Sequence, residues 1–85
     1  MEDVDVKVRR AAAFALGKMG PRSAKHAGGV ARLLEDMDVK VRRTAAIALG
    51  QMGPRAAEYA GGFARLLEGS EADVRGAAAT ALRQM

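Results

Sequence analysis

The chain repeats itself with a period of 33 residues. The segment DVKVRRAAAFALGKMGPRSAKHAGGVARLLED begins at Asp5 and returns from Asp38 as DVKVRRTAAIALGQMGPRAAEYAGGFARLLEG, with only eight of 32 positions changed. A third, partial copy, EADVRGAAATALRQM, begins at Glu71 in the same register. A fixed period of this size is typical of an array in which each unit buries its apolar side against its neighbours.

The first half of each unit predicts an amphipathic helix. In the second copy, apolar residues at positions i, i+4, i+7 and i+11 form one stripe: Val41, Ala45, Ala48 and Met52. That spacing fits one face of an α-helix and does not fit the alternation of a strand. Asp38 stands where an N-cap is expected, and Ser70 with Asp73 resembles a capping box for the third copy. Gly53 and Pro54 end the first helix and begin the next one.

The second half of each unit predicts another helix, from about Arg55 to Glu68 in the second copy. One face of it carries Tyr59, Phe63, Leu66 and Leu67, and the first copy carries His26, Val30, Leu33 and Leu34 at the same positions. A glycine pair lies inside each of these helices, Gly28 with Gly29 and Gly61 with Gly62. Because each glycine costs about 1 kcal/mol relative to alanine, these helices are expected to be weak or bent.

The sequence therefore predicts an all-α fold, an α-solenoid of stacked antiparallel helix pairs with about five helices. We expect a single domain over residues 1–85, with repeats at about 4–36 and 37–69 and a partial repeat at 70–85. A chain of 85 residues buries only about 60 to 65% of its unfolded surface, so its stability margin is thin. Neighbouring repeats or a partner would increase that margin.

The recurring pattern D-x-x-V-R-x-x-A-A-x-A-L-G-x-M-G-P resembles the short HEAT repeat, in the form called PBS-lyase HEAT-like. The resemblance implies right-handed stacking, with the first helices on the convex side and the second helices on the concave side. It also implies a ladder between adjacent repeats. The arginines of that ladder map onto Arg9, Arg42 and Arg75, and the aspartates map onto Asp5 and Asp38, with Glu71 as a departure.

Two departures from the family pattern affect the expected surface. Gly28 and Gly61 replace the proline that is usual near the start of the second helix. Phe14 and Ile47 stand at a first-helix position that is usually polar, about 120° away from the apolar stripe on a helical wheel. Because they lie one repeat apart, we expect them to form an apolar column that Thr80 continues.

The residue types predict no catalytic, cofactor or metal site. The chain has no cysteine and one histidine, His26, which the repeat places on the buried face of the second helix. No second ligand or nucleophile stands at a usable spacing from it. The carboxylates gather at the turns between repeats, where helix N-termini stabilise acids. We therefore expect no enzyme and no cofactor.

The basic residues recur in columns one period apart. They pair as Lys7 with Lys40, Arg10 with Arg43, Arg22 with Arg55 and Arg32 with Arg65, and the net charge is +4. Solvated helix faces explain most of these columns. A continuous basic groove for nucleic acid would need a second base at the position of Lys25, but Glu58 stands there, and aromatic residues for stacking are few. Binding of a nucleic-acid backbone stays as an alternative.

The unfinished third copy suggests an uncovered end. It stops before its second helix, so we expect Val74, Ala78, Ala81, Leu82 and Met85 to lack the cover that their equivalents have. Another chain could bury this end or the column of Phe14 and Ile47, most simply as a homodimer or a domain-swapped pair. The alternatives are a fragment of a longer solenoid and a designed repeat array.

We expect a non-enzymatic scaffold that binds a protein partner or itself. The candidate partner-binding residues are Phe14, Ile47, Lys25, Arg32, Glu58, Arg65, Leu82 and Met85. Nucleic-acid binding and an accessory role in a larger enzyme are the alternatives. No apolar run has the length of a membrane span, and the lack of cysteine fits a reducing cytoplasm by default.

Overall fold

The computed structural model describes residues 5–69 and 71–85, and that part of the chain is all-α. In chain order the elements are α1 (Val6–Lys18), a 3-10 helix (Gly20–His26), α2 (Ala27–Arg32), a short 3-10 helix (Leu33–Glu35), α3 (Val39–Met52), a long 3-10 helix (Gly53–Phe63), α4 (Ala64–Leu67) and α5 (Ala72–Gln84). Helix α3 packs between α1 and α5, and we call these three the first-helix layer. The remaining elements form the second-helix layer. The predicted solenoid of helix pairs is confirmed.

The first helices begin at residues that cap their free amides. Asp5 accepts a hydrogen bond from the backbone N–H of Lys7 at 2.8 Å, and Asp38 accepts from Lys40 and Val41 at 2.8 and 3.0 Å. Helix α5 has Glu71 at the equivalent position, and Ser70 lies outside the described residues. Since aspartate reaches these amides with its short side chain, the sequence places the start of α3 correctly.

The second-helix layer differs from the prediction of one continuous α-helix from Arg55 to Glu68. Most of that span is a 3-10 helix, and only Ala64–Leu67 is α-helical. The glycine pair of this copy lies inside the 3-10 run, whereas the pair of the first copy lies in α2, and a run of this length is unusual for a 3-10 helix. Each run begins at a glycine with positive φ, 64° at Gly20 and 75° at Gly53, followed by proline. This conformation favours glycine and turns the chain sharply between layers.

The core lies where the first-helix stripe meets its neighbours. All four residues of the α3 stripe are completely buried, together with Leu49 and Phe63. The same stripe in α5 is buried at three of its four positions: Val74, Ala78 and Ala81. In each case the stripe faces the preceding first helix, so burial depends on the next repeat towards the N-terminus.

Glycines allow the first helices to approach closely. A Cβ atom added to Gly17 would lie 2.9 Å from the Cα of Ala48, and one added to Gly50 would lie 2.8 Å from the Cα of Ala81. Residues one period apart therefore make equivalent contacts. Because such distances are shorter than carbon atoms tolerate, these two positions require glycine for the observed helix spacing.

Arginines of the first helices bind the turn between repeats. Arg9 donates to both carboxylate oxygens of Asp36, at 2.6 and 3.2 Å, and these side chains are only 17% and 9% exposed. Arg42 donates to the backbone oxygens of Asp36 and Met37 and lies 3.5 Å from the carboxylate of Glu71. Arg75 donates to the backbone oxygen of Gly69 at 2.7 Å.

The ladder between repeats therefore keeps one of the implied pairs, Arg42 with Glu71, while Arg9 pairs with Asp36 and not with Asp38. Asp38 caps α3, whereas Asp36 is the partner of Arg9. Asp36 also accepts from the backbone N–H of Asp38 at 2.9 Å. Burial raises the pKa of Asp36, but the hydrogen bonds from Arg9 and from the Asp38 backbone, with the charges of Arg9 and Arg42, outweigh it and hold the pKa below its ordinary value.

Alanine at Gly50 is expected to destabilise the chain, whereas alanine at Gly76 is not. Overpacking against Ala81 costs roughly 1–3 kcal/mol and helix propensity returns at most about 1 kcal/mol, so Gly50→Ala lowers the free energy of unfolding. Nothing lies within 4 Å of a Cβ added to Gly76, so Gly76→Ala raises it by up to about 1 kcal/mol. Urea unfolding followed by circular dichroism measures both, and equal effects would contradict the close approach of α3 and α5.

Replacing Asp36 is expected to make stability less dependent on acid pH. Asp36→Asn removes a charged hydrogen-bond acceptor and costs about 1–3 kcal/mol near neutral pH. Since the folded pKa is lowered, this contribution is complete above the unfolded value of about 3.9 and disappears as pH falls through the folded pKa. Asp73, which lies 4.0 Å from Arg43 on the surface, is the control, and Asp73→Asn should cost less than about 1 kcal/mol. A pH-independent deficit in Asp36→Asn would rule out the charge as its cause.

Candidate functional site

Two large apolar side chains stand on the outer surface of the first-helix layer. Phe14 of α1 is 59% exposed and Ile47 of α3 is 42% exposed. They are one period apart, and Thr80 of α5 is the exposed third member of this column. The amino group of Lys18 lies 5.7 Å from the centre of the Phe14 ring, within the range of a cation–π contact.

Two parallel grooves run beside this column. The α1–α3 groove has a volume of about 380 Å³, and it is lined by Lys7, Arg10, Ala11, Phe14, Arg43 and Thr44. The α3–α5 groove has a volume of about 480 Å³, and it is lined by Arg43, Ile47, Ala72, Asp73, Gly76, Ala77 and Thr80. Their lining residues come only from the first-helix layer, so both grooves open on the same side of the molecule.

The four charged candidates of the second-helix layer are all exposed: Lys25, Arg32, Glu58 and Arg65. They form no ion pair with one another among the described residues. Lys25 borders a cavity of about 260 Å³ that is lined by Ala12, Ala13, Leu16, His26, Gly29, Val30 and Leu33. This cavity lies between α1 and the second-helix layer of the first repeat.

His26 is exposed, so its predicted place on the buried face is wrong. The reason is visible at Tyr59, its equivalent in the second copy, which is half-buried. The hydroxyl of Tyr59 lies 3.0 Å from the position of a Cβ added to Gly28, so Tyr59 packs on the preceding repeat. His26 belongs to the first repeat, which has no earlier neighbour within residues 5–69 and 71–85 that could cover it in the same way.

The predicted exposure of the third copy is also wrong for its main residues. Val74, Ala78 and Ala81 are buried because their stripe faces α3, while Leu82 and Met85 are half-buried and pack against the core. The residue that loses its cover at this end is Leu67, which is 41% exposed, whereas its equivalent Leu34 is 2% exposed. Leu34 packs against the second repeat beside Gly62, and the described part of the chain offers Leu67 no equivalent neighbour.

The opposite end of the array is more open than the sequence suggested. Val8 and Met19 of α1 are 43% and 45% exposed, although Val41 and Met52 at the equivalent positions are completely buried. The 33-residue register would predict this exposure if the direction of the apolar stripe were known. Only the packing shows that the stripe faces the preceding helix, so the sequence alone did not reveal which end is open.

The described residues bring few other reactive or metal-binding side chains together. Residues 5–69 and 71–85 contain no cluster of three histidine, aspartate or glutamate side chains that could hold a metal ion. The same part of the chain contains no helix that is long and apolar enough to cross a bilayer. The charged and apolar surfaces described above are therefore the features that a functional proposal has to use.

A comparison with protein families matches residues 1–83 to the family described as HEAT repeats. A search of the curated proteins finds no match. The family match covers nearly the whole chain and agrees with the repeat motif, the helix pairs and their stacking.

Removing the apolar column is expected to leave the fold nearly intact. Phe14→Ser should lower the free energy of unfolding by about 1 kcal/mol or less, because most of its side chain is in solvent. Ile47→Ser should lower it by about 1–2 kcal/mol, because Ile47 is only 42% exposed. Leu49 lies in α3, as Ile47 does, and is completely buried, so Leu49→Ala should cost about 2–5 kcal/mol. Thermal unfolding compares the three variants. A loss at Phe14 or Ile47 as large as that at Leu49 would make the column part of the core and not a free surface.

Proposed function

Because the chain belongs to the HEAT-repeat family, we propose that it is a non-enzymatic protein-interaction module that binds its partner through the first-helix layer. HEAT repeats in general mediate contacts between proteins. The proposal assigns the contact surface of this chain to the column of Phe14 and Ile47 and to the grooves beside it.

The exposure of the column is the observation that carries this proposal. Two large apolar side chains occupy equivalent places on adjacent helices, one in each of two neighbouring grooves, so they stand on the same side of the first-helix layer. Isolated apolar residues are common on protein surfaces, but adjoining ones mark interaction sites more often. Burying them in an interface removes their apolar area from water, which favours binding by about 25 cal/mol per Å² before the costs of association.

Self-association is a second candidate, and the outer face of α1 favours it. Val8 and Met19 are exposed there, in a stripe that is buried wherever a neighbouring first helix is present. A second copy that brought an apolar helix face onto α1 would give this stripe the environment it has in α3. The stripe and the Phe14 column lie on different faces of α1, so the two candidates are separable.

Photocrosslinking in cells that produce the chain tests the proposed surface. With benzoylphenylalanine at position 14 or 47, we expect crosslinks to one and the same protein species. The amino acid at position 25 or 58, in the second-helix layer, is the matched control and should not capture that species. Crosslinks from positions 25 and 58 alone would overturn the assignment. A product with twice the mass of the chain, strongest from position 8 or 19, would favour self-association instead.

A further inference from the structure

The α1–α3 groove differs from a generic helix–helix groove in its charge. Three of its six lining residues are cationic, Lys7, Arg10 and Arg43, and none is acidic. Within residues 5–69 and 71–85 neither Lys7 nor Arg10 takes part in an ion pair, and Arg43 reaches Asp73 only at 4.0 Å. Cations that stay solvated on both sides of a groove attract an acidic occupant.

The neighbouring α3–α5 groove lacks this charge although it is built from the same repeat. Asp73 occupies in the third copy the position that Lys7 and Lys40 occupy in the first two. Gly76 likewise occupies the position of Arg10 and Arg43. The α3–α5 groove is therefore lined by one cation and one anion, Arg43 and Asp73. The two grooves have similar geometry but different charge, so only the α1–α3 groove is expected to select an acidic occupant.

The walls and floor of the α1–α3 groove suit a helix. Ala11 and Thr44 have small side chains, and they line the groove between two adjacent helices, so a third helix could approach closely. Phe14 lines the groove with an exposed ring, while the cations Lys7, Arg10 and Arg43 supply its charged rim. An amphipathic helix that lies in such a groove contacts apolar walls with one stripe and pairs its flanking charges with the rim.

We propose that the α1–α3 groove binds an acidic amphipathic helix of a protein partner. This inference rests on the proposed function, since it names the chemistry of the segment that the first-helix layer would receive. The apolar stripe of that helix packs on Phe14 and the floor, and its acidic side chains lie opposite Lys7, Arg10 and Arg43.

The same surface is less suited to nucleic acid. Phe14 is the one aromatic residue among those that line the groove, whereas proteins that bind single strands stack successive bases on several aromatic side chains. The cations of this face also occur only in the first two repeats, and Asp73 would repel a phosphate backbone that continued across α5. A protein helix needs only the α1–α3 groove, whereas a nucleic-acid backbone would need cations along all three first helices.

Fluorescence anisotropy with labelled synthetic peptides tests the proposal on the full chain. The probe is a peptide of about 18 residues with leucine at helical spacing and glutamate on its flanks, long enough for several turns. Two matched peptides accompany it, one with lysine in place of each glutamate and one with the acidic composition in a non-periodic order. We expect saturable binding of the acidic amphipathic peptide only, and severalfold weaker binding when salt rises from about 50 to about 500 mM.

Charge reversal at the groove supplies the decisive comparison. K7E/R10E should weaken binding of the acidic peptide by about tenfold or more, and the same variant should gain affinity for the lysine peptide. K25E/R32E makes the same change of charge in the second-helix layer and should keep affinity within about twofold. Phe14→Ser should also weaken binding, because the apolar stripe of the peptide loses its wall.

Several outcomes would overturn the inference. These are no saturable binding below about 1 mM, equal binding of the non-periodic peptide, equal losses in K7E/R10E and K25E/R32E, or tighter binding of a labelled nucleic-acid duplex than of the peptide. If the crosslinks from positions 14 and 47 persist while the acidic peptide fails, the first-helix layer still binds a partner and only the acidic helix is excluded. If both fail, the proposed function falls as well.

Discussion

The contact between adjacent first helices determines most of this structure. Each contact sets an apolar stripe of one helix against a glycine and alanine face of the preceding helix, as Ala48 does at Gly17 and Ala81 does at Gly50. Small side chains bury little area each, so stability depends on close approach over the length of the helices.

The direction of that contact gives the two ends of the array different surfaces. A stripe that faces the preceding helix is covered in α3 and α5 and open in α1, which explains the exposure of Val8 and Met19. In the second-helix layer the side chains reach in both directions. Tyr59 packs back on the first repeat, and Leu34 packs forward on the second, so His26 and Leu67 are the members that lose their cover. A residue's environment in a short array is therefore set by its repeat number as well as by its position in the repeat.

On the outer side of the first-helix layer, equivalent positions of the three repeats carry side chains of different charge and polarity on a regular backbone. The position of Lys7 becomes Asp73 in the third copy, and the position of Phe14 becomes Ile47 and then Thr80. These side chains are exposed and lie outside the buried core. They create one cationic groove and one charge-balanced groove side by side, and this difference is the basis for assigning a partner to the first of them.

The 33-residue register by itself determined the all-α class, the number of first helices, the aspartate cap of α3 and the buried stripe of α3, because these depend on local spacing and on contacts between neighbouring copies. The solvent-facing position of Phe14 and Ile47 also followed from their angle to that stripe. Only the tertiary structure decided which neighbour each face meets. It placed Asp36 and not Asp38 opposite Arg9, exposed His26, buried Val74 and opened α1, since a helical wheel defines a face but carries no information on the direction in which repeats stack.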